Sequence, residues 1–136
     1  MTTVRDIMTE GADSVEGSTT VLEVAKRLAA ENYGSLPICD GDKLQGMITD
    51  RDIVVKVLAE GKDPASTRVI DLIQGEVVTI GADDSVEEAM QTMSKHQVRR
   101  LPVIDGTKLV GMLAQADLAL SDDDQRVGET VENISQ

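Results

Sequence analysis

The chain has 136 residues, which suits a compact globular protein and leaves no room for a large catalytic scaffold such as a TIM barrel. Hydrophobic residues make up 40% and charged residues 28%, too much apolar matter for a disordered chain. The formal net charge of −12 disfavours nucleic acid and anionic membrane surfaces as partners, because their phosphates would be repelled. Tyr33 is the one aromatic residue, so stacking platforms for single-stranded nucleic acid are missing.

The cysteine content and the hydropathy of the chain indicate the cellular compartment of the protein. Cys39 is the single cysteine, so an intrachain disulfide is excluded and a reducing environment is expected. The first residues do not form a charged leader followed by an apolar run, and no stretch approaches the roughly 18 apolar residues of a membrane span. We therefore expect an unexported, cytoplasmic protein.

The chain begins with a predicted short helical turn at 5–8 and a weak strand at 14–15. Thr20-x-x-Glu23 then has the pattern of a capping box, in which a hydroxyl and a carboxylate satisfy free amides at a helix start. Apolar residues follow at i, i+3, i+4 and i+7, which predicts one buried helix face: Val21, Val24, Ala25 and Leu28.

Two short apolar runs, 36–39 and 44–48, come next and are joined through Asp-Gly, which predicts a β-hairpin. A second helix follows and ends at Gly61, with Pro64 beyond it. Its apolar positions are Ile53, Val54, Val57 and Leu58. The whole series is a β-α-β-β-α unit, and 62–67 is a linker.

The series then repeats. Val4 matches Val69 and Asp52 matches Asp117, a constant shift of 65 residues without a gap. The second copy has a helical turn at 69–73, a strand at 76–80, a capping box Ser85-x-x-Glu88, a helix face Val86, Ala89, Met90 and Met93, and hairpin strands at 101–104 and 109–113. We predict an α/β fold of two domains, 1–65 and 66–136. A half of about 60 residues buries little surface alone, so the two copies should pack against each other about a pseudo-twofold axis. Two equivalent clefts would then form between them.

The C-terminal tail predicts a final amphipathic helix. Val127, Val131 and Ile134 recur at helical spacing after the acidic run 121–124. Such an apolar face must be covered, and a second subunit would do so. We therefore expect a homodimer.

Catalytic and metal sites have little support in this sequence. Cys39 lies within an apolar strand, and His96, the one histidine, follows a helix far along the chain. One histidine and one cysteine cannot build a structural zinc cluster within one chain. The acidic pairs lack the spacing of a calcium loop, and neither a dinucleotide fingerprint nor a P-loop occurs. We therefore predict no catalytic residue, no metal ligand and no required cofactor.

The most informative segment is the junction between the second hairpin strand and the helix that follows it. Thr49 and Asp52 lie three residues apart at the predicted helix start, where free amides and the helix dipole favour an anion. The Thr49 hydroxyl would donate to a phosphate, and Asp52 would accept from sugar hydroxyls. The alternative is that the pair only caps its helix. The second copy keeps Asp117 but has Ala114 in place of the hydroxyl.

An adjacent basic pair precedes the second hairpin in an otherwise acidic protein. Arg99 and Arg100 are the strongest candidates for a phosphate clamp in the sequence. The alternative is that both face solvent in surface ion pairs, which are common and weak.

These motifs resemble a tandem pair of CBS domains, also called a Bateman module, over nearly the whole chain. The resemblance rests on the repeated unit, on Leu36-Pro37 and Leu101-Pro102 in the strands, and on the Gly-h-h-Thr-x-x-Asp pattern that ends at Asp52. More narrowly, the stretches 5–8, 36–39, 49–54 and 96–100 look like stand-alone actinobacterial two-CBS proteins of the hypoxic response type.

The resemblance implies binding of an adenosine-containing ligand, namely AMP, ADP, ATP or S-adenosylmethionine, in the clefts between the repeats. It places the aspartate on the ribose and the threonine on phosphate. Carried over, Thr49 and Asp52 mark one site and Asp117 marks the other. Val98 would face the base of the first site and Tyr33 that of the second, Arg99 and Arg100 would serve the phosphates of the Asp117 site, and Arg51 is the candidate cation of the first.

The sequence departs from the family pattern at both sites. The first site has Gly34 and Ser35 where the second copy has its arginines, and the second lacks the hydroxyl at Ala114. We expect a non-catalytic regulatory protein that binds an adenine nucleotide and signals to a partner protein in trans. The alternative is a ligand-free structural or stress-response protein, and an enzyme is least favoured because no nucleophile or general base accompanies the anion site.

Overall fold

The structure is a computed structural model that describes residues 2–11 and 13–119. The chain divides into two compact units. One comprises Asp13–Val77 and is called the Asp52 unit; the other comprises Met1–Ala12 with Val78–Gln136 and is called the Asp117 unit. The predicted tail helix and the acidic run lie outside the described residues.

The described elements reproduce the predicted β-α-β-β-α series twice. In chain order they are α1 Val4–Ile7, β1 Thr9–Glu10, β2 Val15–Glu16, α2 Val21–Glu31, β3 Ser35–Asp40, β4 Lys43–Thr49, α3 Asp50–Ile53, a π-helical turn Val54–Leu58, a 3-10 helix Val69–Leu72, β5 Ile80–Gly81, α4 Val86–His96, β6 Arg100–Asp105, β7 Lys108–Ala114 and α5 Gln115–Leu118. The predicted α/β class is confirmed.

Each unit builds its sheet in the same way. β2 runs parallel to β3, and β3 forms an antiparallel hairpin with β4; β5, β6 and β7 repeat this arrangement. The predicted Asp-Gly turns are present, with Gly41 and Gly106 at φ values of 62° and 67° that favour glycine. The strand predicted at 76–80 begins only at Ile80, because β5 pairs with β6 at Ile80 and Gly81 alone.

The two long helices bury the faces that their spacing predicts. The buried side chains are Val21, Val24 and Leu28 on α2, and Val86, Ala89, Met90 and Met93 on α4. Thr20 and Ser85 cap these helices through their hydroxyls, which accept from the amides of Glu23 at 3.3 Å and Glu88 at 3.1 Å. Each unit has its own apolar core around one of these helices.

The second helix of the Asp52 unit is less regular than predicted. α3 continues into the π-helical turn, and Ile53 and Val57 are buried. Val54 and Leu58, expected on the same apolar face, are instead 55% and 56% exposed. The prediction of one apolar face at all four positions is therefore wrong for Val54 and Leu58, because this segment does not keep the regular α-helical geometry on which the spacing rule depends.

The N-terminal lead-in packs with the second repeat rather than with the repeat that it precedes. The amide of Val4 donates to the carbonyl of Asp84 at 2.9 Å, and that of Arg5 donates to Ala82 at 2.8 Å. Val4 is buried in the core of the Asp117 unit, and β1 pairs antiparallel with β7. The Arg5 guanidinium adds a 3.4 Å contact to Asp83.

The second lead-in makes the reciprocal arrangement in the Asp52 unit. The amides of Val69 and Ile70 donate to the carbonyls of Thr19 at 2.9 Å and Gly17 at 3.0 Å, and Val69 and Leu72 join the core of that unit. The spatial units therefore exchange lead-ins relative to the sequence division into 1–65 and 66–136. A lead-in too short to fold alone is stabilised where it completes an existing β–α connection.

Candidate functional site

The junction of β4 and α3 holds Thr49 and Asp52 in a reciprocal capping box. The Asp52 amide donates to Thr49 Oγ1, and the Thr49 amide donates to Asp52 Oδ2, both at 3.0 Å. The capping alternative for this pair is therefore realised in the structure. The same bonds hold the carboxylate in one orientation at the helix start, which is the orientation a ligand would meet.

The junction of β7 and α5 keeps half of this arrangement. The Ala114 amide donates to Asp117 Oδ2 at 2.7 Å. Ala114 has no hydroxyl, so the return bond to the Asp117 amide cannot form. The carboxylate is thus the feature that both junctions share.

The loop ahead of each hairpin lies against the neighbouring helix start. In the Asp52 unit the Asp50 amide donates to the carbonyl of Gly34 at 3.0 Å, and in the Asp117 unit the Gln115 amide donates to that of Arg99 at 2.9 Å. The loops reach these positions because α2 and α4 end in left-handed residues, Asn32 and Gln97. The structure therefore brings Arg99 beside the Asp117 helix start.

The sequence-predicted site residues divide evenly between the units. Tyr33, Thr49, Arg51 and Asp52 lie in the Asp52 unit, and Val98, Arg99, Arg100 and Asp117 lie in the Asp117 unit. The resemblance pairs Val98 with the Asp52 site and Tyr33 with the Asp117 site. Those pairings cross from one unit to the other and stay predictions.

The cations differ in their surroundings. Arg51 and Arg99 are exposed, whereas Arg100 is half-buried at the start of β6. Arg51 lies on α3 within the capping-box turn, one residue before Asp52. Each unit thus has one exposed arginine near the start of its helix: Arg51 on α3, and Arg99, whose carbonyl accepts from the first residue of α5.

Lys56 was not predicted as a site residue. Its Nζ lies 3.2 Å from Asp52 Oδ1 and donates to the carbonyl of Leu72 at 3.3 Å. The spacing of four residues between an acid and a following lysine on a helix was the available signal. The contact with Leu72 had none, because it joins segments distant in the chain.

Gln115 is a second site residue that was not predicted. Its Nε2 is enclosed, and within 2–11 and 13–119 it meets no hydrogen-bond acceptor. Asp50 holds the matching position in the Asp52 unit, where its Oδ1 accepts from the Arg51 amide at 2.7 Å. The two helix starts therefore differ in their first residue as well as in their cap.

Cys39 lies in β3 and is 2% exposed. Burial raises the pKa of its thiol, against a smaller opposing effect of a hydrogen bond with Ser14. The thiol is therefore protonated and enclosed at neutral pH, which is the behaviour of a small packed apolar residue.

Among the described residues, no three side chains of His, Cys, Asp or Glu gather closely enough to hold a metal ion. No helix within that part of the chain is long and apolar enough to cross a membrane.

Comparison with known proteins gives a consistent result. Residues 4–59 and 69–122 match the family model described as CBS domain. Hypoxic response protein 1 of Mycobacterium tuberculosis is 43% identical over 120 residues, which cover 88% of this chain and 84% of that protein. The CBS domain-containing protein YhcV of Bacillus subtilis is 37% identical, with 99% of this chain and 96% of that protein covered.

Solved structures agree with these relatives. A crystal structure of Hypoxic Response Protein I with two coordinated zinc ions has a TM-score of 0.82 and covers 88% of this chain and 98% of that one. The CBS domain pair of protein MJ0100, in complex with 5′-methylthioadenosine and S-adenosyl-L-methionine, has a TM-score of 0.74 at 30% identity and covers 88% of this chain and 94% of that one. The chain belongs to the CBS-domain family and is a CBS pair, a regulatory module.

Proposed function

We propose that this CBS pair binds an adenosine-containing ligand, namely AMP, ADP, ATP or S-adenosylmethionine, between its repeats. It catalyses no reaction and passes the resulting change to a partner protein in trans in the cytoplasm. The observation that carries the proposal is the pair of equivalent helix starts, at each of which the backbone amide three residues earlier holds an aspartate in place.

A carboxylate held in this way suits a ribose. One oxygen of Asp117 is engaged by the Ala114 amide, and the other is left to accept from sugar hydroxyls. Hydrogen bonds to an ionised acceptor are stronger than neutral ones. Because the side chain is already ordered before a ligand arrives, binding costs little further conformational entropy.

The arginines support a ligand that carries phosphate at the Asp117 site. A net charge of −12 repels an anion at long range, so a phosphate needs local cations to be held. Arg99 supplies one beside α5, and Arg100 follows it. In the Asp52 unit Gly34 and Ser35 hold the matching positions, so Arg51 is the candidate cation there.

The ligand complex of the MJ0100 CBS pair supports the adenosine class, since that protein has the same fold at 30% identity. A binding protein of this kind signals by population shift, because a ligand that favours one arrangement of the chain raises the population of that arrangement.

One observation favours a second candidate function. Thr49 and Asp52 satisfy each other, so that junction is complete without a ligand. A ligand-free structural or stress-response protein that recruits a partner is therefore the alternative. The name of the Mycobacterium tuberculosis relative, Hypoxic response protein 1, is in keeping with a stress setting.

Thermal unfolding in the presence of ligand separates the two candidates. A ligand that binds the folded state alone must raise Tm. We expect at least one of AMP, ADP, ATP and S-adenosylmethionine to do so at millimolar concentration. No rise with any of the four favours the ligand-free alternative.

Calorimetry with ATP and adenosine tests the arginine assignment. Replacing both Arg99 and Arg100 by glutamine should weaken the binding of ATP more than that of adenosine. Equal losses for the two ligands would contradict a phosphate clamp.

We also propose that the chain works as a homodimer. Val54, Val55 and Leu58 are 55%, 46% and 56% exposed side by side on the π-helical turn, and association would cover such apolar surface. Light scattering after size exclusion should give the mass of a dimer, and a monomer mass at micromolar concentration overturns this proposal.

A further inference from the structure

Lys56 forms an ion pair with the Asp52 carboxylate, which is the group that this site would offer to a ligand. Its ammonium lies 3.2 Å from Asp52 Oδ1 and donates to the carbonyl of Leu72 at 3.3 Å. The side chains of Lys56 and Asp52 are 32% and 25% exposed, so solvent screens the pair only in part. Two acceptors from separate segments hold this cation, which makes it more ordered than a surface lysine.

Both oxygens of Asp52 are consequently engaged inside the Asp52 unit. Oδ2 accepts from the Thr49 amide at 3.0 Å, and Oδ1 faces Lys56. Asp117 differs, because its Oδ2 accepts from the Ala114 amide and, within the described ranges, no cation approaches its Oδ1. The residue that matches Lys56 in the second repeat is Ser121, which carries no charge.

We propose that Lys56 is a specificity-determining residue that makes the two sites unequal. Its ammonium holds the carboxylate oxygen that a ribose would use, so an adenosine ligand fills the Asp117 site first. The inference rests on the proposed function, and it adds which site is filled and why. A ribose entering the Asp52 site must displace the ammonium, and that competition lowers its affinity.

The test isolates the Asp52 site and then removes the cation. Asp117→Asn weakens the other site while keeping an oxygen to accept from the Ala114 amide. In this background Lys56→Met removes the ammonium and keeps most of the side-chain length. Calorimetry with AMP and with 5′-methylthioadenosine should show tighter binding by about fivefold, the effect of releasing a pair of this kind.

Lys62→Met is the matched control. Lys62 pairs with Glu60 at 3.1 Å on the surface, and its loss changes the net charge by the same amount. It should leave the affinity for uncharged 5′-methylthioadenosine unchanged. Lys56→Gln, which keeps a donor for the Leu72 carbonyl, serves as a second variant, and Tm measured for each variant reports whether the fold is retained.

The outcomes separate this inference from the function on which it rests. Binding at the Asp117 site with no gain from Lys56→Met or Lys56→Gln overturns the role of Lys56 alone. A loss of AMP affinity in both variants, with 5′-methylthioadenosine unaffected, also overturns it, because Lys56 would then contact phosphate. No binding of either ligand to the wild-type chain or any variant overturns both.

Discussion

At the strand–helix junction the two repeats have nearly the same backbone conformation but different side chains. Thr49 and Ala114 have nearly equal angles, φ −116° and ψ 160° against φ −103° and ψ 158°. Thr49 nevertheless completes a reciprocal cap with Asp52, whereas Asp117 is held by one bond. Both repeats therefore keep the helix start and its carboxylate, whereas the capping hydroxyl is present at Thr49 and replaced by a methyl group at Ala114.

The lead-in segments show a second contrast between the units. Gly46 lies against the side chain of Ile73, and Gly111 lies against the backbone carbonyl of Thr9 and the side chain of Met8. A side chain can shift when a neighbour grows, but a strand-paired carbonyl cannot move without breaking the pairing of β1 with β7. The Asp117 unit is therefore the less tolerant of the two.

The largest expected effect tests the difference in tolerance between the two glycine positions. A Cβ at Gly111 would lie 2.6 Å from the Thr9 carbonyl oxygen, so Gly111→Ala should destabilise by about 2–3 kcal/mol, in the range of overpacked cores. At Gly46 it would lie 2.7 Å from Ile73 Cδ1, and Gly46→Ala should cost about 1 kcal/mol. Urea unfolding of both variants measures the difference, and equal midpoints would contradict it.

The next effect concerns the carboxylates. Asp117→Ala should weaken adenosine-ligand binding by about tenfold, the value of one charge-assisted hydrogen bond, and Asp52→Ala should weaken it less. Titration calorimetry measures both. Asp6→Ala is the control, because Asp6 accepts from the Thr3 amide at 2.9 Å in the same kind of cap on α1. If Asp6→Ala lowers the affinity as much as Asp117→Ala does, the loss comes from the broken helix cap and not from a lost contact with the ligand.

A smaller effect follows from exchanging the caps. Thr49→Ala should lower the free energy of unfolding by about 1 kcal/mol, because the Asp52 amide loses its acceptor. Ala114→Thr should raise it by about 0.5 kcal/mol, because the backbone already has the angles of a capping residue. Thermal unfolding checks both signs, and a destabilised Ala114→Thr would show that the two junctions are not equivalent.

The smallest expected effect distinguishes Cys39 from Ile104, its counterpart in the other unit. Burial raises the pKa of the thiol above its ordinary value of 9.0, so the folded chain keeps a proton that the unfolded chain loses first. The stabilisation is fully present below that ordinary value and is lost as pH rises through the folded pKa. Unfolding between pH 8 and about 10.5 should show a shallow alkaline decline that Cys39→Val reduces.

Much of the fold was accessible from sequence because the signals are local. Helical spacing identified the buried faces of α2 and α4, and Asp-Gly located both hairpin turns. The strand–helix junctions were also located, since Asp52 and Asp117 follow a strand end at the same distance in both copies. These features depend on residues within a few positions of one another.

The remaining features depend on contacts between distant segments. The sequence placed Val4 with the repeat that follows it, whereas its amide donates to Asp84 of the second repeat. Val54 and Leu58 are exposed on a π turn, although the apolar pattern placed them on a buried face. Neither the capping box alone nor its spacing indicated that Lys56 would also reach the Leu72 carbonyl.

The sequence by itself thus determined the repeated unit, its α/β fold class and the carboxylate at each helix start, because apolar periodicity, turn residues and helix caps act over a few residues. Only the tertiary structure decided which unit each lead-in completes and which charge meets Asp52. Those outcomes depend on contacts between segments far apart in sequence. Such contacts must offset the entropy lost when the chain between them is closed into a loop, and no local sequence pattern indicates them.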